Sequence, residues 1–432
     1  MKNGAKVDVI NLGDELLLGL RDNGHLSYLG EQLSRHGLRI RRNLVIQDDP
    51  NEIREHMQSA WSDADLVITT GGLGPTSDDL TREVISEVLG LKLEFVESIR
   101  DSLQEWFDRI GRPLTANNLK QCYVPEGAEV LPNPLGTAPG IFLKKDEKIL
   151  VMLPGPGHEL HRMFEERVLP RLEEEDLSAS EEQYLQLRSF GIGESALENK
   201  LFAVLNKHPE MSVGYCAHQG LVDVRLSLVN GNGSLAGLRE TGEQCMEILG
   251  EDFVCFGHDS LAEIALSYLR AHDQTLAVAE SCTGGLLSNA FTDIPGASQT
   301  FTGSVVCYSE EAKIEHLAIP EIILQQHGIV SAETAVAMAT GVAEKYSSDY
   351  GLSATGFAGP TGGTEENPIG TIFFGLHTPS GAWSHRVTLP GNRFMVKARG
   401  VNTAIDWLRR KLTKYQMHDA FSNLEYFLGA GI

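Results

Sequence analysis

Two apolar runs roughly 200 residues apart each end in a glycine-rich turn that opens a helix, and this pairing constrains the fold more than any other feature of the chain. The first run, Leu66–Thr70, leads into Gly71-Gly-Leu-Gly-Pro-Thr-Ser-Asp-Asp79; the second, Leu276–Ala279, leads into Glu280-Ser-Cys-Thr-Gly-Gly285. A short aliphatic run closed by glycines reads as a buried strand feeding a turn into a helix. Glycine lets backbone N–H groups come close to a ligand, and the N-terminus of the next helix favours an anion or oxyanion there. Such turns also do no more than connect strands to helices, and that plain reading stands beside the functional one.

The pattern around each turn is of the same kind. Val7–Leu12 precedes a helical stretch at Ser27–His36, Leu38–Val45 precedes Asn51–Trp61, and Leu66–Thr70 precedes Asp79–Leu89. Ile149–Leu153 leads into a helix near Gly157–Leu172. This alternation predicts α/β architecture: right-handed βαβ units on a doubly wound, mostly parallel sheet, with ligands at the carboxyl ends of the strands. The acidic stretch Glu173–Asp176, with Ser178, Ser180, Glu181 and Glu182 after it, reads as a solvated linker. Beyond it, Tyr184–Phe190, a helix from Glu194 to about Leu205, Met211–Cys216, Val222–Leu228 and a helix near Leu235–Leu249 form a small α+β module, with Arg225 on a strand face. From His258 the alternation resumes: helix 260–272, strand 275–279, helix 284–292, strand 303–308, helix 332–346, strands 352–356 and 370–376, and helix 393–412. The expected domains are therefore 1–175, 176–257 and 258–415, followed by a tail, 416–432, to which no function is assigned.

A chain of 432 residues is too long for one ordinary core. Its net charge of −23 repels phosphate backbones, so no large nucleic-acid surface is expected. The clearest basic cluster, Arg39, Arg41 and Arg42, reads as solvated charge at a strand edge. The six cysteines, at 122, 216, 245, 255, 282 and 307, show no Cys-x-x-Cys spacing. Neither a disulfide framework nor a zinc site is expected, and reduced thiols fit a cytoplasmic protein. The N-terminal residues lack the pattern of a signal peptide, and no run of about 18 apolar residues predicts a membrane span.

Paired acids beside a glycine turn are suited to a divalent metal bridging a pyrophosphate through hard oxygen ligands. Asp78 and Asp79 follow the first turn, and Asp14 and Glu15 follow Gly13 at the end of the first strand. In a doubly wound sheet both loops share one edge, so four carboxylates are expected to converge. The competing reading makes Asp78 or Ser77 a helix cap. Asn133-Pro-Leu-Gly-Thr-Ala-Pro-Gly140 and Leu153-Pro-Gly-Pro-Gly157 supply further turns for a nucleotide cleft. The first helix lacks G-x-G-x-x-G and the chain lacks G-x-x-x-x-G-K-[ST], which disfavours dinucleotide-redox and NTPase chemistry.

In the second turn Ser281 is a candidate nucleophile, with the Gly284 and Gly285 N–H groups facing an oxyanion. Its base is sought in Tyr308-Ser-Glu-Glu-Ala-Lys313, since a lysine kept neutral by its surroundings can deprotonate serine directly or through a tyrosine hydroxyl. Alternatively Ser281 caps the helix, Tyr308 packs and Lys313 is solvated; or Cys282 is the nucleophile with His316 or His327 as base. Gly356-Phe-Ala-Gly-Pro-Thr-Gly-Gly363 and Asn367–Thr371 read as a loop round a polar ligand, and Arg393 and Arg399 as a phosphate clamp.

These residues together resemble a known family. Gly13–Gly19, Gly71–Thr81, Asn118-Leu-Lys-Gln121, the 133–140 loop and Leu153–Pro156 are similar to the N-terminal domain of the CinA proteins, itself similar to the molybdopterin-binding MoaB/MogA fold. Stretches 280–285, 308–313, Gly328–Ser331, 356–363, 367–371 and Gly391-Asn-Arg393 with Arg399 resemble the CinA C-terminal domain. The likeness covers residues 5–412. It implies that the C-terminal domain deamidates nicotinamide mononucleotide to nicotinate mononucleotide and ammonia. Ser281 would be the nucleophile, with Tyr308 and Lys313 as activating partners. Thr283, Gly284, Gly285, Ser298, Gly356, Gly359, Gly363 and Arg393 or Arg399 would contact substrate. For the N-terminal domain the resemblance implies hydrolysis of ADP-ribose to AMP and ribose 5-phosphate with Mg²⁺, Mn²⁺ or Co²⁺ on Asp14, Glu15, Asp78 and Asp79. There the substrate would meet Gly71, Gly72, Gly74, Pro75, Thr76, Asn118, Gly136 and Thr137. This chain departs from the family pattern at Asp22-Asn23-Gly24-His25, at Gly157-His158-Glu159, at Glu310 and at Asn392. A homodimer of a pyridine-nucleotide salvage enzyme is expected. The alternatives are a pterin- or nucleotide-binding N-terminal module without hydrolysis, or an accessory factor of competence and recombination.

Overall fold

A computed structural model describes residues 5–179, 184–218, 220–228 and 233–413. The chain divides into two compact units, Met1–Tyr184 with Ser227–Leu235, and Leu185–Leu226 with Ala236–Ile432. The architecture is mixed α/β, as the alternation predicts.

The first unit begins β1 (Lys6–Leu12), α1 (Asp14–Leu17), α2 (Gly24–Arg35), β2 (Arg39–Ile46), α3 (Pro50–Asp63), β3 (Leu66–Thr70) and α4 (Thr81–Val88). There follow a short antiparallel ribbon, β4 (Leu93–Phe95) with β5 (Tyr123–Pro125), flanking α5 (Glu97–Arg109), then β6 (Glu129–Leu131), β7 (Gly140–Lys145), β8 (Lys148–Leu153), α6 (Gly157–Met163) and α7 (Leu169–Glu174). The main sheet has the order β2-β1-β3-β8-β7-β6, parallel from β2 to β8 and antiparallel beyond. Period-2 alternation assigns its faces. Val7, Val9, Leu66, Ile68, Ile149, Val151 and Leu153 pack with α2 and α6 residues. Ile10, Val67, Leu150 and Met152 pack with α3, α4 and α5 residues on the other face. A parallel sheet covered on both faces needs such unbroken aliphatic runs, and each fully buried side chain contributes about 1.5–3 kcal/mol.

The second unit begins with an α+β module: β9 (Tyr184–Phe190), α8 (Glu194–Leu205), β10 (Met211–His218), β11 (Leu221–Leu228), α9 (Leu235–Leu249) and β12 (Phe253–Phe256), with sheet order β10-β11-β9-β12. Arg188 and Asp223 form a buried two-pronged ion pair across it, both hydrogen bonds 2.8 Å long. Then come α10 (Leu261–Ala271), β13 (Leu276–Glu280), α11 (Leu286–Thr292), β14 (Phe301–Val306), α12 (Glu310–Leu317), α13 (Glu321–His327), α14 (Ala332–Tyr346), β15 (Tyr350–Gly356), β16 (Thr371–Thr378), β17 (Gly381–Thr388) and α15 (Arg393–Thr413). The sheet order is β14-β13-β15-β16-β17, with β14, β13 and β15 parallel. Leu276 and Val278 face α10 and α15; Ala277 and Ala279 face α14.

Several expectations change. The region read as a solvated linker buries Leu177, Ser178 and Ala179. Ala179 is held by reciprocal bonds with His36, from its N–H to the carbonyl and from its carbonyl to the ring. The parts at Ser180, Glu181 and Glu182, and the tail 416–432, lie outside the described residues. Arg41 and Arg42 are not simply solvated, since both donate to the buried Asp8 carboxylate. Among the described residues no helix is long and apolar enough to cross a membrane.

Candidate active sites

In the first unit a cleft of about 320 Å³ opens at the carboxyl ends of β1, β3 and β8. Gly71, Gly72 and Gly74 line it as the turn pattern predicts, with Thr137 from the 133–140 loop and Pro154–Pro156. Gly71 has φ +93°, and a Cβ there would press on the Leu12 carbonyl oxygen, so only glycine lets β3 turn this close to β1. Glu15, Asp78 and Asp79 also face the cleft, joined by Asp48 after β2 and Glu159 on α6. The last two escaped the sequence reading, although Asp48 follows a parallel strand as Glu15 does. Asp14 instead is exposed, and its N–H donates to Asp48. Asp79 is occupied by its own turn, accepting from the Thr76 N–H and hydroxyl.

The clustered acids leave an electrostatic mark. Burial, together with the charges of Asp14, Glu15 and Asp78, pushes Asp48 up to about 6. Among the described residues no group of three or more His, Cys, Asp or Glu is disposed to hold a metal ion. The four predicted carboxylates therefore do not form a protein cage. The donors are nevertheless hard oxygens on a shared wall, which suits an ion such as Mg²⁺ that takes one or two carboxylates and completes its shell with substrate phosphates.

Asn118 does not line the cleft. Its side chain closes a capping box with Thr115, and Gln121, one turn later, reaches the cleft wall instead. Gln121 is fully buried, and its Oε1 has no partner among the described residues. Asn133 fastens the 133–140 loop by donating to the Ala138 carbonyl at 2.8 Å and to Glu159 at 2.6 Å. Beneath the glycine turn Arg82 is buried and donates to the Leu73 and Gly74 carbonyls, at 2.8 and 3.2 Å.

In the second unit β13 delivers Ser281 to the carboxyl edge of its sheet, where the Ser281 N–H is held by the Ala354 carbonyl at 2.9 Å. Gly284 and Gly285 take φ +62° and +98°, turning the chain into α11. Lys313 arrives from α12, its side chain wholly buried. Its Nζ donates to the Cys307 carbonyl at 2.8 Å and lies 3.3 Å from Ser281 Oγ. Burial pushes its pKa below the usual lysine range, towards the neutral amine a base requires. The structure thus joins the serine and the lysine directly. Tyr308 is largely exposed, in the turn after β14, and its hydroxyl accepts from Arg393 Nη2 at 3.2 Å.

The helix after the turn is capped by Glu280 and not by Ser281. The Glu280 carboxylate, fully buried, accepts from the N–H groups of Gly285, Leu287 and Ser288 at 2.8–3.0 Å and from the Ser288 hydroxyl. The expected oxyanion role of the Gly285 N–H is corrected, because that group is already spent; an oxyanion at Ser281 is left to N–H groups earlier in the turn. Thr283 is buried with its hydroxyl unpartnered among the described residues. Cys282 is buried, its thiol pushed up to about 12 by desolvation, while His316 and His327 are exposed. A cysteine–histidine pair is not assembled.

Gly356 ends β15 beside Ser281, and the loop carrying Gly359 and Gly363 follows; Gly359 offers its carbonyl to Arg393 Nη1 at 2.8 Å. Ser298 is not brought to the site. It sits on the turn before β14, and because β14 runs parallel to β13, this is the opposite end of the strands from Ser281. Arg399 is likewise turned away, donating to the Pro390 carbonyl. The two departures in sequence have simple roles: Asn392 caps α15 by accepting from the Met395 N–H at 3.0 Å, and Glu310 opens α12.

Comparison with known proteins places the chain in a family by sequence. Residues 8–174 match the family described as "Probable molybdopterin binding domain", residues 186–254 the "Damage-inducible protein CinA KH domain", and residues 258–412 the "CinA C-terminal domain". The chain is 37% identical over 415 residues to a CinA-like protein of Dictyoglomus thermophilum, covering 94% of this chain and 99% of that one. It is also 37% identical over 409 residues to a CinA-like protein of Kosmotoga olearia, again covering 94% and 99%. Among solved structures, the protein CinA of Thermoplasma acidophilum, described as of unknown function, is similar over 40% of this chain and 98% of its own, with 32% identity and a TM-score of 0.36.

Proposed function

Because the chain belongs to the CinA family, we propose that it is a two-site hydrolase of pyridine nucleotides, whose second unit deamidates nicotinamide mononucleotide. The observation that carries this reading is the buried contact of Lys313 Nζ with Ser281 Oγ, 3.3 Å apart. Neutral Lys313 takes the Ser281 proton as Oγ attacks the carboxamide carbon. The same proton passes to the departing nitrogen as the C–N bond breaks, releasing ammonia and leaving an acyl ester on Ser281. Water, deprotonated by Lys313, then attacks the ester; the acid leaves and the proton returns to Ser281. The Cys307 carbonyl holds the amine in place through both half-reactions.

For the first unit we propose binding and hydrolysis of ADP-ribose in the cleft below Gly71–Gly74. One or two of the cleft carboxylates Glu15, Asp48 and Asp78 would hold a divalent ion together with the pyrophosphate, the ion supplying charge neutralisation at the phosphorus centres. Asp79 shapes the turn and is not assigned to the metal. A second reading, binding without hydrolysis, is favoured because no group of three metal-ligating side chains is found among the described residues. One experiment addresses all of it: mass-spectrometric product analysis of the pure protein with each nucleotide, with and without Mg²⁺, Mn²⁺ or Co²⁺. Nicotinate mononucleotide and AMP are the expected products. Bound ADP-ribose with no AMP under any metal would select the binding reading, and no ammonia from the mononucleotide would overturn the amidase.

A further inference from the structure

Three cationic side chains stand in the first two turns of α15, and their hydrogen bonds separate them. Arg393 is engaged with the Gly359 carbonyl and the Tyr308 hydroxyl. Arg399 is engaged with the Pro390 carbonyl. Lys397, half-buried between them, has no hydrogen bond or ion pair with any described residue. Helix phase explains the division. Lys397 lies four residues beyond Arg393, on the same face, whereas Arg399 lies six beyond and is rotated to another.

The position of the free ammonium is informative. Its Nζ is 3.5 Å from where a Cβ on Gly284 would stand, so it rests against the turn that carries Ser281. A Cβ at 284 would stand in ordinary contact with the ammonium, while the left-handed backbone there would strain any side chain. An ammonium resting against the turn and engaged by no described side chain is open to an anion delivered by a ligand. Lysine answers a phosphate as a compact point charge, free of the fixed fork of arginine.

We propose that Lys397 is the residue that binds the phosphate monoester of the substrate beside the Ser281 turn, with Arg393 holding the 357–370 loop against Tyr308 as the far wall. The assignment replaces Arg399 and rests on the amidase reading given above. It makes the second unit selective for a nucleotide over the corresponding nucleoside.

The test compares wild type, K397A and K397R in the full chain. Ammonia release is followed with nicotinamide mononucleotide and with nicotinamide riboside, which lacks the phosphate, and ribose 5-phosphate is titrated calorimetrically, a readout that needs no turnover. In K397A the KM for the mononucleotide and the Kd for ribose 5-phosphate should rise about ten- to hundredfold, as for loss of a charged hydrogen bond. The mononucleotide kcat and all riboside kinetics should stay within about twofold, and K397R should recover most of the loss. Equal losses of kcat on both substrates would assign Lys397 to the reacting carbonyl and overturn the proposal. Unchanged ribose 5-phosphate binding in K397A, or no such binding in wild type, would also overturn it. If wild type binds ribose 5-phosphate in a Lys397-dependent way but releases no ammonia, the amidase reading fails while the phosphate site stands.

Discussion

Glu280 offers the most direct measurement of how the Ser281 turn is held. Its two carboxylate oxygens accept three backbone N–H groups and one hydroxyl with no solvent access. Glu280→Gln is nearly isosteric but turns one oxygen into a donor. With the remaining oxygen facing Gly285 and Leu287, those two bonds lose their charge assistance, about 1 kcal/mol each. The Ser288 N–H then meets an amide N–H₂ and is left unpaired, at about 1–3 kcal/mol. The sum is about 3–5 kcal/mol, which for a unit of this size lowers the melting temperature by roughly 10 °C. Differential scanning calorimetry of E280Q beside E315Q, a change at an exposed position on α12, measures it. A melting point for E280Q within about 2 °C of wild type would show that Glu280 does not carry the turn.

Other consequences follow from the same geometry. Ser281→Ala should abolish ammonia release from nicotinamide mononucleotide while Cys282→Ser, at a buried thiol raised to about 12, leaves it within a fewfold; the reverse pattern would refute the serine mechanism. Because burial lowers the Lys313 pKa and the proposed mechanism uses the neutral amine, kcat/KM should rise with pH to an inflection below the ordinary lysine value of 10.5. Lys313→Arg, which cannot lose its proton, should be inactive from pH 6 to pH 9 in the same ammonia assay. Asp223→Asn strands the buried Arg188 guanidinium and should cost about 3 kcal/mol in urea unfolding. The first unit is probed by Glu15→Gln with Asp48→Asn, which should lower metal-dependent AMP formation from ADP-ribose at least about tenfold, read by chromatography.

The fold was most legible where strands are buried on both faces. Val7 and Val9 against Ile10 and Leu12, or Leu66 and Ile68 against Val67, leave only one periodicity open. It was least legible in β6 and β17, one only three residues long and the other, Gly-Ala-Trp-Ser-His-Arg-Val-Thr, largely exposed and almost without apolar alternation. Their pairing is dictated by neighbouring strands and not by their own residues. In the sites, the glycine turns could be read because the left-handed backbone at Gly71, Gly72, Gly284 and Gly285 demands that residue type, and Ser281 because it stands in one of them. Asp48, Gln121 and Glu159 could not, since separate elements far apart in sequence carry them to one cleft. Arg393 and Arg399 share a residue type, but six positions along one helix turn them to different faces. Ser298 was misplaced because the direction of β14 puts its preceding turn at the far edge.

The far end of α15 has a bearing on its near end. Arg409, almost wholly buried, is bonded to Asp406 and donates to the Glu251 and Phe253 carbonyls, while Arg410 reaches the Phe190 carbonyl and Asp252. The last turns of the helix are thus clamped to the small α+β module, and its first turns carry Arg393 and Lys397. A helix of 21 residues is a stiff rod about 30 Å long. One helix therefore ties the module to the Ser281 turn, packed between them against β15 and β16, so a change in how the module holds its end would be carried to Arg393 and Lys397.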